Sequence, residues 1–359
     1  VYKLAEIGNY RQQFNQQLLE ADEWFKQKRI EANGGTVTLK IGVILVDFAD
    51  SVHYKSLGGN FSDGYNRAFF NNMIFSQNYW IGEPISPNFT TPHPENKQIF
   101  GSLRDYYNQQ SCGKLDIIGK DGIYPEILNP PDPLHPDVPD WVYLDETKTY
   151  WNSQDILSTA EWCYKARQNF QQKFPNISLS NYDRIIYIYA GNQGTYLKSL
   201  WPNADPLGGF IMSEQWSGVY SHIGVHAHEF AHLLGADDEY WGDINVNAGY
   251  FDLMSNGNYN GPERKGECPA GTTPFNKIKW GWSSVTYLNE DSYQDLLLEY
   301  NYQSPNYYRL DNPYDDTEYF IIENRLREGF DKWTPNNPSY VSTDPRDLNE
   351  NLGGMLIWT

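Results

Sequence analysis

Runs of apolar residues separated by polar turns predict a mixture of helices and strands over the first half of the chain. Residues 1–33 carry apolar side chains at roughly helical spacing and are followed by Gly34 and Gly35, which predicts an N-terminal helix. Val37 to Phe48 is β-branched and almost wholly apolar, so we expect a strand buried on both faces. Ile185 to Ala190 has the same character and predicts a second buried strand.

Apolar residues recur at helical spacing over Ile99–Gln110 and Ser153–Phe174, so this half is predicted to be mixed α/β. Asn129–Asp140 holds five prolines in twelve residues, and we expect an irregular surface loop there. After residue 260, short aromatic-rich runs alternate with turn residues, a pattern typical of small antiparallel strands. These runs are Asp295–Tyr302, Tyr319–Glu323 and Met355–Trp358.

Charge and composition exclude several classes of protein. The 359 residues include 46 acidic and 27 basic side chains, a net charge of −19 that disfavours a nucleic-acid partner. No apolar run approaches the roughly 18 to 20 residues needed to span a bilayer. The high content of tyrosine (28 residues) and tryptophan (12 residues) is more typical of an extracellular enzyme than of a cytosolic one. No signal peptide is visible at the start, so a secreted protein would be represented by a processed chain. Three cysteines, Cys112, Cys163 and Cys268, allow at most one disulfide.

The sequence His228-Glu229-Phe230-Ala231-His232 is an HExxH motif and carries the strongest chemical signal. Residues four apart lie on one face of a helix, so both imidazoles can bind one Zn²⁺. Glu229 then has the position of a general base toward a water molecule on the metal. Alanine, leucine and phenylalanine around the motif favour a helix that ends at Gly235.

The motif continues as HExxHxxGxxD, in which Asp238 has the position of a third ligand in a metzincin-like site. Glu239 is also a carboxylate of suitable reach, so it remains an alternative ligand. Sixteen residues beyond Asp238, Met254 lies in a polar, turn-forming stretch and resembles the methionine of a Met-turn.

These features together resemble the immune inhibitor A family of secreted zinc metallopeptidases. The similar segments include ILVDF (44–48), SLRDYYNQQSCGKL (102–115), IGVHAHEFAHLLGADDEY (223–240), FDLMSNG (251–257), EYFIIENRLREGFD (318–331) and GGMLIW (353–358). They extend over roughly residues 37–359. The resemblance implies zinc ligands at His228, His232 and Asp238, and a general base at Glu229.

The resemblance also implies an α+β fold: a zincin catalytic domain with a mixed sheet, an active-site helix and a β-rich C-terminal part. We expect a helical segment over 1–35, which is either the remnant of a prosegment or a brace. The catalytic domain would occupy 36–290. The β-rich part would occupy 291–359, where the chain stops inside an apparent strand and further segments are expected.

Other candidate residues have several interpretations. His226 is expected to face away from the metal. His222, His53, His93 and His135 are expected on the surface or in loops. Tyr240 and Tyr259 are both candidates to stabilise the oxyanion. The acidic and Asn-rich segment 237–260 is either a solvated loop or a calcium site.

The predicted function is a secreted, monomeric zinc endopeptidase that hydrolyses protein or peptide substrates. An alternative is a catalytically silent relative that binds glycans or glycoproteins through its aromatic surface, against which the intact His-Glu-His set argues. A third hypothesis is a purely structural zinc, but such sites are closed by four protein ligands, mostly Cys and His.

Overall fold

The helices and strands are defined in a computed structural model, which describes residues 2–51, 53, 67–81, 99–119, 127–132, 135–205, 208–216, 219–240, 248–288, 297–300, 306–315, 317–335 and 354–358. The α-helices of these residues are α1 (Tyr2–Glu31), α2 (Arg67–Phe75), α3 (Leu103–Gln110), α4 (Lys148–Ser153), α5 (Thr159–Lys173), α6 (Ile223–His232) and α7 (Pro274–Lys279).

The strands of the same ranges form one large sheet and three smaller ones. They are β1 (Val37–Phe48), β2 (Trp80–Ile81), β3 (Ile99–Phe100), β4 (Leu115–Ile118), β5 (Pro131–Asp132), β6 (His135–Pro139), β7 (Val142–Leu144), β8 (Arg184–Asn192), β9 (Asn203–Asp205), β10 (Gly209–Trp216), β11 (Val219–Tyr220), β12 (Ser284–Tyr287), β13 (Asn306–Asp311), β14 (Tyr319–Arg325) and β15 (Gly354–Trp358).

The large sheet is mixed and has β1 at its centre. Parallel pairing joins β1 to β4, β7 and β8, and joins β8 to β10, whereas β9 and β11 pair with β10 in the antiparallel direction. Alternate residues of β1 enter two apolar layers, Val43 and Leu45 in one and Ile44 and Val46 in the other. The predicted strand, its burial on both faces and the mixed sheet are therefore confirmed.

Helices cover both faces of this sheet. Residues of α2, α3 and α6 share one apolar layer, to which α1 contributes Phe25. The opposite layer contains Trp162, Ala166 and Phe170 of α5. Since α6 lies in a layer between the sheet and other helices, all ten of its residues are buried.

The N-terminal helix predicted from apolar spacing is present as α1, and it packs on the body of the protein. Leu18, Ala21 and Phe25 are buried. The guanidinium of Arg184, at the start of β8, lies 3.6 Å from the ring centroid of Trp24.

Two predicted helices begin later than expected. Helix α3 starts at Leu103 because Ser102 caps it: the Ser102 hydroxyl accepts the N–H of Asp105, and the Asp105 carboxylate accepts the N–H of Ser102, both at 3.0 Å. Ile99 and Phe100 form β3 instead. The helix predicted over Ser153–Phe174 is present as α5 but starts at Thr159, because α4 ends at Ser153 and a short 3₁₀ turn that Asp155 caps comes between them.

The prediction of an irregular loop over 129–140 was wrong. Pro131–Asp132 and His135–Pro139 form a short antiparallel ribbon, with Pro131 opposite Pro139. A two-stranded ribbon tolerates proline because its outer edges need no ladder hydrogen bonds. Asn129 is also not on the surface: it is buried, and its side-chain amide pairs with both backbone groups of Leu45.

The C-terminal strands are confirmed at Tyr319–Arg325 and Gly354–Trp358, which pair in the antiparallel direction. The same sheet also contains one parallel pair, β12 with β13, in segments for which no strand was predicted. The strand predicted over 295–302 lies partly outside the described residues. Within 297–300, only an isolated bridge from Tyr300 to Asn324 occurs. Among the described residues, no helix is long and apolar enough to cross a bilayer. All three cysteines are free thiols.

Candidate metal centre

Helix α6 carries the HExxH motif and ends sharply just beyond it. Gly235 adopts a φ of 87°, its N–H donates to the carbonyl of His232 at 3.0 Å, and the N–H of Ala236 donates to Ala231 at 3.1 Å. These two bonds are typical of a Schellman motif, which reverses the chain after a helix. The reversal returns the following residues, including Asp238, toward the face of α6 that carries His228 and His232.

The two imidazoles of the motif are fixed by backbone carbonyls. Nδ1 of His228 lies 3.1 Å from the carbonyl oxygen of Leu253, and Nδ1 of His232 lies 2.8 Å from that of Ala236. A carbonyl oxygen only accepts, so each Nδ1 carries the proton and donates it. Nε2 is the remaining nitrogen on each ring, and the ring centroids are 4.9 Å apart.

Asp238 completes a three-residue cluster. Its Oδ1 lies 3.1 Å from Nε2 of His228 and 3.4 Å from Nε2 of His232. One donor atom from each of the three residues lies within 4.8 Å of the others. Glu239 is not one of these three residues, and its backbone N–H donates to the carbonyl of Met254 at 2.9 Å. The structure thus brings His228, His232 and Asp238 together.

The electrostatics of this cluster favour positive charge. Burial alone lowers the pKa of His228, but the hydrogen bond to Asp238 and the carboxylates around it raise that pKa to about 9. Burial also acts to lower the pKa of His232, but the charge of Asp238 outweighs burial and the pKa is raised. The carboxyl of Asp238 shows the converse behaviour. Burial by itself raises its pKa, but the two imidazoles hold that pKa well below its usual range.

Glu229 lies beside the cluster and is almost wholly buried. Burial raises the pKa of its carboxyl, while the neighbouring His228 and His232 act to lower it. Glu229 lines the same cleft as the three clustered residues. A buried carboxylate at the wall of a cleft can take up and release a proton during a reaction.

Met254 lies in a turn organised by Asp252. One oxygen of Asp252 accepts the N–H of Met254 and the other accepts the N–H of Thr273, both at 2.9 Å. Asp252 and Met254 are both fully buried. The turn thereby fixes the Leu253 carbonyl that orients His228. Asp252 was not among the residues predicted from the sequence, although an aspartate two residues before a turn amide is a recognisable signal.

The two candidate tyrosines have different surroundings. Tyr240 lines the cleft, and its ring lies 6.0 Å from that of His228 in a stacked orientation. Tyr259 packs against Trp216, with ring centroids 5.9 Å apart. Burial, followed by nearby carboxylates, raises the pKa of Tyr259 to about 12 and that of Tyr240 further, so both hydroxyls keep their protons at neutral pH.

The remaining histidines correct some expectations. His226 is buried against Phe210 at 5.9 Å, and burial lowers its pKa to about 3. His222 was expected at the surface or in a loop; it is the residue before the first turn of α6 and is buried. His53 lies in a loop, as expected, where Nδ1 of its ring is 2.9 Å from the Asp47 carboxylate and the ring stacks on Trp141 at 4.8 Å. His135 lies in β6, and His93 lies outside the described residues.

The segment 237–260 differs from a solvated loop in its second half, where Asp252, Ser255 and Asn260 are buried. Residues 241–247 lie outside the described part of the chain. Within that part, the group of residues able to hold a metal is the one formed by His228, His232 and Asp238. Nothing in the described residues supports the calcium site.

The fold and the cluster are compatible with a peptidase catalytic domain, a hydrolase that acts on peptide bonds. Comparison with known families identifies one in particular: residues 27–127 match the family described as immune inhibitor A peptidase M6, catalytic domain. The recognition of the immune inhibitor A family from sequence is confirmed over these residues, which contain β1 and α3. The cluster of His228, His232 and Asp238 lies beyond the matched range. No curated protein gives a significant match.

Proposed function

We propose that the protein is a secreted zinc endopeptidase of the zincin type, whose ligands are His228, His232 and Asp238. The observation that carries this proposal is the convergence of three ligand atoms. With both Nδ1 protons donated to carbonyls, Nε2 of each imidazole faces Asp238 Oδ1, at 3.1 and 3.4 Å. The carboxylates that raise the pKa of both imidazoles also favour a cation among these atoms, and a zinc ion would replace the Nε2 protons because a histidine ligand must be neutral.

The donor set fits zinc. Two imidazole nitrogens and one carboxylate oxygen are ligands that zinc prefers, and three protein ligands are typical of catalytic sites, which keep a fourth position for water or substrate. The carbonyl partners of Nδ1 also match the supporting hydrogen bonds found behind metal-binding histidines. A bound zinc supplies Lewis acidity, which polarises a scissile carbonyl and acidifies a water molecule.

The residues of the chain supply the proton transfers. Glu229 takes the proton from the attacking water and later gives it to the leaving amine. Its raised pKa suits both directions of transfer, since a carboxylate of low basicity holds a proton poorly. Tyr240, which lines the cleft and keeps its proton, is the better placed of the two tyrosines to donate to the developing oxyanion.

Four further parts of the proposal stay predictions. Met254 would be the methionine of a Met-turn, and its buried position and the Leu253 carbonyl support this role. The division into a catalytic domain over 36–290 and a β-rich part over 291–359 also remains a prediction, as do secretion and a monomeric state.

The test combines metal analysis with hydrolysis. The purified chain should contain one zinc and cleave casein, whereas His228→Ala and His232→Ala should each lose the metal and the activity. Stoichiometric zinc in either variant would contradict the ligand assignment. A zinc-loaded wild type that cleaves no protein or peptide would instead favour the glycan-binding alternative.

A further inference from the structure

The metal cluster opens into a cleft that three separate parts of the chain enclose. Its cavity volume is about 260 Å³. One wall comes from the 3₁₀ turn at Ile156–Ser158, a second from the segment between β8 and β9, and a third from α1. An apolar cavity of about 150 Å³ accepts benzene, so this cleft has room for an aromatic or a large aliphatic side chain.

The third wall brings α1 into contact with the metal cluster. The ring of Phe14 meets the imidazole of His232 edge to face, with centroids 5.2 Å apart. Phe14 is only partly buried, so its ring remains available to a molecule in the cleft. The position of Phe14 is fixed further along α1, where Leu18, Ala21 and Phe25 are buried.

The rim of the cleft exposes an unusual amount of apolar surface. Leu157, Tyr196 and Leu197 line the cleft and are 46%, 54% and 36% exposed. Large apolar side chains that share one exposed patch mark a binding surface. Charges at the rim are of both signs, since Arg11 and Asp237 approach within 4.0 Å of each other. Apolar contact rather than charge therefore dominates what the cleft selects.

We propose that this cleft is a substrate subsite for a bulky apolar side chain next to the scissile bond, and that Phe14 of α1 determines this preference. The inference rests on the proposed peptidase function, because the cleft is continuous with His228, Glu229 and His232. It also gives α1 a role at the substrate, in addition to its packing on the core.

The test compares two peptides that differ at one position beside the cleaved bond, leucine in one and alanine in the other. The wild type should prefer the leucine peptide in kcat/KM, and Phe14→Ala should reduce that preference about tenfold, a typical effect of removing apolar pocket contacts. Because the preference is the ratio of two kcat/KM values, a loss of activity that affects both peptides through the contact of Phe14 with His232 cancels. Leu19→Ala is the matched control, since Leu19 lies on α1 but is 61% exposed and outside the cleft lining.

Binding gives a second readout that does not need hydrolysis. In the Glu229→Gln protein, the leucine peptide labelled with a fluorophore should bind about tenfold more weakly when Phe14→Ala is added, but not when Leu19→Ala is added. An unchanged preference and unchanged binding in Phe14→Ala would overturn the subsite while leaving the peptidase intact. If the wild type cleaves no peptide, and Phe14→Ala weakens binding of the leucine peptide while Leu19→Ala does not, the apolar subsite is supported and the peptidase function is refuted.

Discussion

The Nδ1 atom of His228 lies 3.1 Å from the carbonyl oxygen of Leu253, which immediately precedes the buried Met254. This bond joins α6 to a turn formed later in the chain and sets the orientation of the imidazole. Because the Leu253 carbonyl accepts the Nδ1 proton, Nε2 is the nitrogen that faces Asp238, at 3.1 Å. The chemistry proposed for the cluster depends on this relationship.

Replacing Glu229 by glutamine should separate metal binding from catalysis. Glutamine keeps the size of the side chain but lacks a basic carboxylate, so zinc should stay bound while peptide hydrolysis falls about 10²- to 10⁴-fold. Metal analysis and casein hydrolysis on the same preparation check this. Equal hydrolysis by the variant and the wild type would show that Glu229 is not the base.

Asp238→Ala and Glu239→Ala should differ in metal content. Asp238 offers Oδ1 to both imidazoles, whereas the backbone of Glu239 is tied to Met254. We expect Asp238→Ala to lose most of its zinc and Glu239→Ala to keep it. The reverse result, measured by metal analysis after dialysis, would assign the third ligand to Glu239.

Gly235→Ala should destabilise the protein more than Gly34→Ala. Both glycines have positive φ, 87° and 82°, which costs a non-glycine residue about 1 kcal/mol or more. A Cβ at Gly34 would meet nothing, but one at Gly235 would lie 2.7 Å from Cβ of Asp22 on α1. Chemical denaturation of both variants gives the free energy of unfolding that each one loses, and the difference between them reports the clash with Asp22. Equal losses would argue against close packing of α1 on the end of α6.

Much of the fold follows from local sequence, and the exceptions have physical causes. Strand β1 was predicted to the residue because a strand buried on both faces gives an unbroken apolar run. The cluster was predictable because its three residues share one helix and the turn after it. Phe14 could not be found in this way, since its contact with His232 depends on how α1 docks, which no local pattern records. The ribbon at 131–139 was missed because proline content outweighed strand propensity.

Arg325→Ala should lower the free energy of unfolding by about 3 to 5 kcal/mol, the usual cost of breaking a buried ion pair. Arg325 lies 2.7 Å from Glu323 and 3.6 Å from Asp331, and all three are buried, so the variant removes the guanidinium from between two buried carboxylates. Lys26→Ala is the control, because its pair with Glu23 is exposed and should contribute no more than about 1 kcal/mol. Similar stabilities of the two variants would refute the importance of the buried pair.

Asp252 should make stability depend on pH. Burial, and then the charge of Glu239, raise its pKa from 3.8 to about 7. Between these values the folded protein holds a proton that the unfolded chain has released, so the contribution of Asp252 to stability is greatest below about pH 4 and declines toward pH 7.

To check this pH dependence, the free energy of unfolding of the wild type and of Asp252→Asn is measured as a function of pH. A chelator is present so that metal binding does not vary. The difference should shrink as the pH rises, by at most about 1.4 kcal/mol per unit. A constant difference across this range would mean that Asp252 ionises alike in both states.

The close spacing of His228, His232 and Asp238 along the chain affects how a bound metal stabilises the fold. A loop of so few residues closes at little entropic cost, so the denatured chain can also gather these donors around an ion. Binding to the denatured chain subtracts from the stabilisation that binding to the native state provides. Thermal protection by zinc should consequently be smaller than the native affinity alone would give, because any affinity of the denatured chain for the ion offsets part of it.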